Sequence, residues 1–191
     1  YAANSALTLP FRVRGSQVQV LAGNLPVSGA VVYHILAGQA SGATPYADFA
    51  HHPFYTDAQG FLQGRGEIGL GDRLIAALPI SDTETATWYA ISAAPTPQGL
   101  DAAPVSSFGV QILKVSPDHP LIALKLSVAL EWDARSDSAF LSQLQFDLRR
   151  ASEILFDWTD GQVVLGAIDI FQNREHWDTA NIRIYATSRL R

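Results

Sequence analysis

Leu121-Ile122-Ala123-Leu124-Lys125-Leu126-Ser127-Val128-Ala129-Leu130-Glu131-Trp132 places Leu124, Leu126, Val128, Leu130 and Trp132 at alternate positions, with Lys125, Ser127, Ala129 and Glu131 between them. Successive side chains on a pleated strand point to opposite faces, so residues 121–132 predict a long strand with one apolar face. The period then changes. Phe140, Leu141, Leu144, Leu148, Ala151, Leu155 and Trp158 recur at steps of three and four, while Gln143, Gln145, Asp147, Arg149, Arg150 and Glu153 fill much of the remainder. That spacing predicts an amphipathic helix over residues 137–159 with its stripe turned to a core. Ser136 or Asp137 can cap its first free amides, and Gly161 supplies a stop where a left-handed backbone costs little. Strands at 163–171 and 181–187 follow, joined by a polar turn holding Asn173, Arg174, Glu175 and His176. Residues 117–191 thus read β-α-β-β. Leu124, Leu126, Val128, Leu144, Leu148, Leu155, Ile168, Ile170, Ile182 and Ile184 are expected to form one core between its helix and sheet.

Upstream of this unit the texture is all-β. Short runs at 7–14, 17–21, 30–36, 61–68, 73–78, 87–92 and 109–115 are separated by Gly, Pro, Asn and Asp. About seven short strands with frequent turn signals predict an antiparallel β-sandwich. Val18 and Val20 against Gln17 and Gln19, like Phe11 and Val13 against Arg12 and Arg14, show the alternation of a half-buried strand. Two segments interrupt it. Residues 38–52 have no clean period and read as a long loop; 93–107 carry prolines that withhold donors from a ladder and read as an irregular crossing. The predicted fold class is α+β, with a sandwich over residues 1–116 and the β-α-β-β unit, an incomplete layer, over 117–191. The two meet near residues 116–120.

Composition narrows the function. The 191 residues are 48% hydrophobic and 16% charged, which excludes disorder, and the net charge of −5 offers no broad cationic face for nucleic acid or anionic lipid. No apolar run approaches the roughly 20 residues of a membrane-spanning helix. The absence of cysteine excludes disulfides, thiolate metal sites and a cysteine nucleophile. With no methionine either, a segment upstream of Tyr1 is expected; a removed secretory signal would account for it, as would a cytosolic protein with a longer N-terminal tail, and an extracytoplasmic, secreted or cell-surface location is the preferred expectation.

Pro26-Val27-Ser28-Gly29-Ala30-Val31-Val32-Tyr33, then Tyr55-Thr56-Asp57-Ala58-Gln59-Gly60-Phe61, then Leu70-Gly71-Asp72-Arg73-Leu74-Ile75-Ala76 resembles the carboxypeptidase-regulatory-like, or transthyretin-like, β-sandwich. Asp57 and Gly60 would close a tight turn, through an Asx bond and a permissive backbone. The resemblance implies a scaffold or interaction surface. Three later stretches resemble the opening of a secreted bacterial zinc-metallopeptidase domain and, more distantly, the N-terminal region of the calcium-activated chloride channel regulator family. They are residues 127–135, 151–162 and 177–185, including Glu131-Trp132-Asp133, Asp157-Trp158-Thr159-Asp160-Gly161 and Trp177-Asp178. In those families a helix bearing His-Glu-x-x-His comes downstream. Here none of His34, His51, His52, His119 and His176 is followed by Glu-x-x-His. Zinc would belong to residues beyond Arg191 in a longer protein, and this chain is expected to hold no cofactor.

Each candidate site competes with a plainer role. His51 and His52, beside Asp48, suggest a metal, but adjacent side chains on an extended backbone point apart, and they read as solvated loop residues. Glu153, Asp157 and Asp160 at the helix end, with Asp133 and Asp137 at its start, read as turn and helix caps, without the spacing of a calcium loop. Trp132, Trp158 and Trp177 form either an aromatic platform for sugar or peptide or, the preferred reading, hydrophobic anchors; Trp88 is expected in the sandwich core. Gly64, Gly66, Gly69 and Gly71 are flanked by strands and make no phosphate cradle, and no Gly-x-Ser-x-Gly elbow occurs. No catalytic, cofactor or metal residue is assigned. The expected function is the non-catalytic N-terminal portion of an extracytoplasmic metallopeptidase-like surface protein, whose partner is the rest of the polypeptide or another subunit. The alternative is a surface structural or adhesion subunit that assembles through exposed strand edges.

Overall fold

The structure, a computed structural model, describes residues 16–38, 54–63, 68–96 and 99–186. The expected strand at 7–14, most of the 38–52 loop with His51 and His52, and Gly64 and Gly66 lie outside them. In chain order the elements are β1 (Gln17–Ala22), β2 (Leu25–Pro26), β3 (Val31–Ile35), β4 (Arg73–Asp82), β5 (Ala86–Ile91), β6 (Pro95–Thr96), β7 (Gly99–Leu100), β8 (Ala103–Pro104), β9 (Val110–Leu130), α1 (Ser138–Trp158), β10 (Val163–Phe171) and β11 (Ile182–Ile184). The class is α+β: a mixed sheet and, among the described residues, one helix. Of the expected 61–68 strand, Phe61 and Leu62 make isolated bridges to Gln19 and Thr56.

The main sheet runs β2-β1-β9-β5-β4-β3, with β8 on β4 and both β10 and β11 on β9. It is not the purely antiparallel arrangement expected. β1 lies parallel to β9, Gln17 opposite Val110 through Ala22 opposite Val115, and β10 and β11 also run parallel to it. A parallel neighbour needs a crossover, and the chain from β2 to β8 supplies one between β1 and β9. β9 is one strand where two were expected, 109–115 and 121–132. Its partners change along it: β1 to Val115, β5 from Ser116 to Leu124, β10 from Ile122 to Ala129. Between Ser116 and Leu121 the register against β5 slips, as β9 passes from Ile91 to Tyr89 while advancing through Pro117 and Pro120.

Neighbouring residues in the central strands fall into different cores. Val32, Ala76 and Ala90 join Val18, Val20, Leu113 and Val115 on one face. Val31, Ala77 and Tyr89 join Leu121, Ala123, Val164 and the helical Phe156 on the other. A sheet covered on both faces explains why Ile75-Ala76-Ala77 and Tyr89-Ala90-Ile91 read as unbroken apolar runs instead of alternating.

Asp137 caps α1, its carboxylate accepting from the Phe140 amide at 3.0 Å, and Gly161, at φ 78°, donates back to the Phe156 carbonyl at 2.8 Å. The helix ends are as expected; its rotation is not. Ser152 and Phe156 are its buried residues, whereas Ala151 is exposed and Trp158 is 83% exposed. At 3.6 residues per turn, these two buried positions lie roughly 80° and 120° round from the middle of the expected stripe. The expected core is correspondingly divided. Val128 and Leu130 are buried with Leu144, Ile168, Ile170 and Ile184 packed on them. Leu124, Leu126, Leu148 and Leu155 are half-buried, and Ile182 is exposed.

Candidate functional site

Three polar arrangements stand out. The first joins β3 to the turn before β4. His34 Nε2 lies 2.5 Å from Asp72 Oδ2, with both side chains buried. The same carboxylate accepts from the amides of Ala37 at 2.9 Å and Gly69 at 2.8 Å. Backbone donors converging on one buried carboxylate make this a structural tie that folds the turn onto the strand. It also shows why Gly71 sits there: it has φ 85° and its amide reaches the Val105 carbonyl.

The second is a cleft of about 490 Å³ where β9 changes partners, lined by Ile91, Ser92, Ala93 and Ala94 on one side and Lys114, Ser116 and Asp118 on the other. Lys114, Ser116 and Asp118 are alternate residues of β9, so they line one side of the strand while Leu113 and Val115 enter the core. Ser116 Oγ donates to Asp118 Oδ2 at 2.8 Å and accepts from the Asp118 amide at 3.2 Å, which fixes the carboxylate. Lys114 has no ion-pair or hydrogen-bond partner among the described residues. Ser92 Oγ accepts from the Ala76 amide at 2.8 Å and keeps its own proton to donate.

The third is the loop after β10. Asn173, Arg174 and His176 all have positive φ, and Glu175 N bonds to Gln172 O at 2.9 Å, closing a tight turn with two left-handed residues at its centre. Left-handed backbone costs about 1 kcal/mol at a residue such as Arg174. Its guanidinium is thereby brought against Glu131 and 5.5 Å from the Trp177 ring, which meets Tyr185 edge-on at 5.0 Å. Glu131 also accepts from the Ala186 amide at 2.9 Å. The group pins the last strand to the end of β9.

The residues singled out in the sequence do not converge. Asp133 bonds the Arg135 amide and pairs with its side chain at 3.2 Å; Asp137 is the N-cap; Glu153 pairs with Arg150 at 2.6 Å. Asp157 lies in the last turn of α1 and Asp160 in the turn after it, with φ 51°. Among the described residues no three His, Cys, Asp or Glu side chains gather at one point, so these residues do not fit a zinc site. Trp132 packs on Phe140 at 5.0 Å, as an anchor would. Trp158 does not anchor the helix, and Trp88, 41% exposed, lies outside the sandwich core expected for it, because it falls beside the register slip between Pro79 and Ser81.

Two ionisable groups respond to their surroundings. Burial pushes the Tyr89 hydroxyl above its ordinary pKa, with the Thr87 hydrogen bond opposing it. Lys125, 2.8 Å away, and the Thr87 hydroxyl hold the exposed Asp82 carboxyl below its usual range.

Sequence reasoning missed the pairing of His34 with Asp72, which are 38 positions apart and meet only through the sheet. The row Lys114-Val115-Ser116-Pro117-Asp118 did carry a signal, since polar residues alternate with apolar ones. No family model, no curated protein and no solved structure matches this chain.

Proposed function

We propose that this chain is a non-catalytic scaffold and interaction portion of an extracytoplasmic, metallopeptidase-like surface protein, built as a β-sandwich followed by a β-α-β-β unit. Its partner is a further part of the same polypeptide or another subunit. One observation carries the reading: the outer flank of α1, where Trp158 is 83% exposed and Ile154, one turn earlier, is also exposed. An exposed tryptophan beside an aliphatic residue is the surface chemistry enriched at the centres of protein interfaces. Trp158→Gln tests it in two settings. In the isolated chain the change should cost no more than about 0.5 kcal/mol, as for a surface residue. In the full-length protein with its partner it should weaken association about tenfold or more. Equal, small effects in both settings overturn the reading.

A structural or adhesion subunit assembling through strand edges is the second reading. β10 favours it: among the described residues its one strand partner is β9, and past Val163 and Leu165, whose amides the Thr159 and Ser152 hydroxyls take, its other edge pairs with no strand and can accept one. Self-association that persists in Trp158→Gln and is lost when a proline replaces Ala167 would favour this reading over the first.

A further inference from the structure

We propose that the cleft at the partner switch of β9 binds a short zwitterionic peptide, its carboxylate at Lys114 and its ammonium at Asp118. The inference is independent of the interface on α1. Lys114 and Asp118 carry opposite charges on the same side of one strand, yet form no ion pair with each other. Their Cα atoms are four residues apart, at most about 13 Å along the strand. A free amino acid, with its two charges separated by one residue, is too short to meet both. An extended tripeptide spans about 10 Å, and the lysine arm closes the remainder. The cavity, about 490 Å³, lies within the size range of small-ligand sites.

The walls give the middle of the ligand its character. Ile91, Ala93 and Ala94 suit small apolar side chains, and the Ser92 and Ser116 hydroxyls suit peptide groups. The two charges differ in preparation. Ser116 already holds the Asp118 carboxylate in place, so less ordering is lost when it takes an ammonium. Lys114 is free to swing and tolerates ligands of slightly different length. Both charges face water, which limits each contact and puts the dissociation constant at about 1 mM.

Backbone amide chemical shifts of the intact chain, titrated with trialanine to about 20 mM, read the result against the roughly 1 mM affinity expected. The expected outcome is a saturable shift of the Ser92, Ala93, Lys114 and Ser116 amides. Acetylating the peptide's amine, or amidating its carboxylate, should each weaken binding about tenfold, equivalent to about 1.4 kcal/mol. Lys114→Met should remove the preference for a free carboxylate and Asp118→Asn the preference for a free amine. The proposal is overturned if no saturable shift occurs, if the doubly capped peptide binds as well as the free one, or if alanine alone binds as tightly as trialanine. The capped peptides are titrated into the unmodified protein, so the test stands whether or not either variant folds.

Discussion

Ser152 occupies the most covered position of α1, where an aliphatic residue would be the ordinary choice, and its hydroxyl accepts the Leu165 amide at 3.0 Å. The register of β10 on β9 shifts just after Leu165, and Gly166 lies where an added Cβ would come within 2.9 Å of the Ala123 Cβ. The register shift and the glycine let β10 lie close on β9, and the hydroxyl from α1 satisfies the Leu165 donor. Ser152→Ala strands the Leu165 amide and should cost about 1–3 kcal/mol. Gly166→Ala should cost about as much through overpacking; denaturant titration of each variant reads both. Asp72→Ala should be worse, about 2–5 kcal/mol, because two amides and His34 lose the same acceptor. Tyr89 supplies a prediction in pH. Its folded-state pKa is raised by burial, so the native state holds its proton longer than the unfolded chain does. The corresponding stability is complete below about pH 10 and declines as the pH rises through the interval above it. Tyr89→Phe should flatten that alkaline decline; an unchanged slope in thermal melts from about pH 9 to 11 would remove Tyr89 as its cause.

At the scale of elements, the helix shows what a hydrophobic pattern does and does not specify. Apolar residues on α1 cover a wide arc, from Ile154 and Trp158 on one flank through Leu144 and Leu155 to Phe156 on the other. Three-and-four spacing locates that arc but not the part of it the sheet covers. The choice is made by Phe156, which reaches Val31, Tyr89 and Leu121, residues far away in sequence that no local period can reveal. Phe156→Ala should therefore cost about 3–5 kcal/mol, against no more than about 0.5 for Trp158→Gln, measured by chemical denaturation of the isolated chain. The reverse order would mean that the Trp158 side of the stripe, not the Phe156 side, faces the core. Caps were legible because they are local: Asp137 and Gly161 act within a few residues of themselves. The turn at Asp57 was legible for the same reason, its carboxylate accepting from Gln59 and Phe61 at 2.9 Å while Gly60 adopts φ 76°. The parallel pairing of β1 was not, because a strand's alternation is identical in either direction. The cleft was half legible: Lys114, Ser116 and Asp118 alternate in the sequence, but Ile91–Ala94 reaches them only through the β5–β9 ladder.

For the whole molecule, the decisive feature is that β9 runs unbroken from Val110 to Leu130, across the point where a sandwich and a β-α-β-β unit were expected to part. Its first section completes one core with Val18 and Val20, and its middle section builds the other with Phe156 and Val164. Cutting the chain after Ser116 would leave β5 without Leu121 and Ala123 opposite it, and would leave Phe156 with no Val31 or Tyr89 to cover it. Each piece would then expose the apolar face that the other buries. Lost burial at Val31, Tyr89, Leu121 and Phe156, at about 1.5–3 kcal/mol each, is comparable with the whole stability of an ordinary domain, about 5–15 kcal/mol. Residues 1–116 and 117–191, expressed separately, should accordingly lack dispersed amide spectra and cooperative melts. The intact chain should unfold in a single transition, with calorimetric and van't Hoff enthalpies equal. Two resolved transitions, or a separately folded 1–116 fragment, would show instead that the sandwich is a module in its own right and that the helix is an attachment to it.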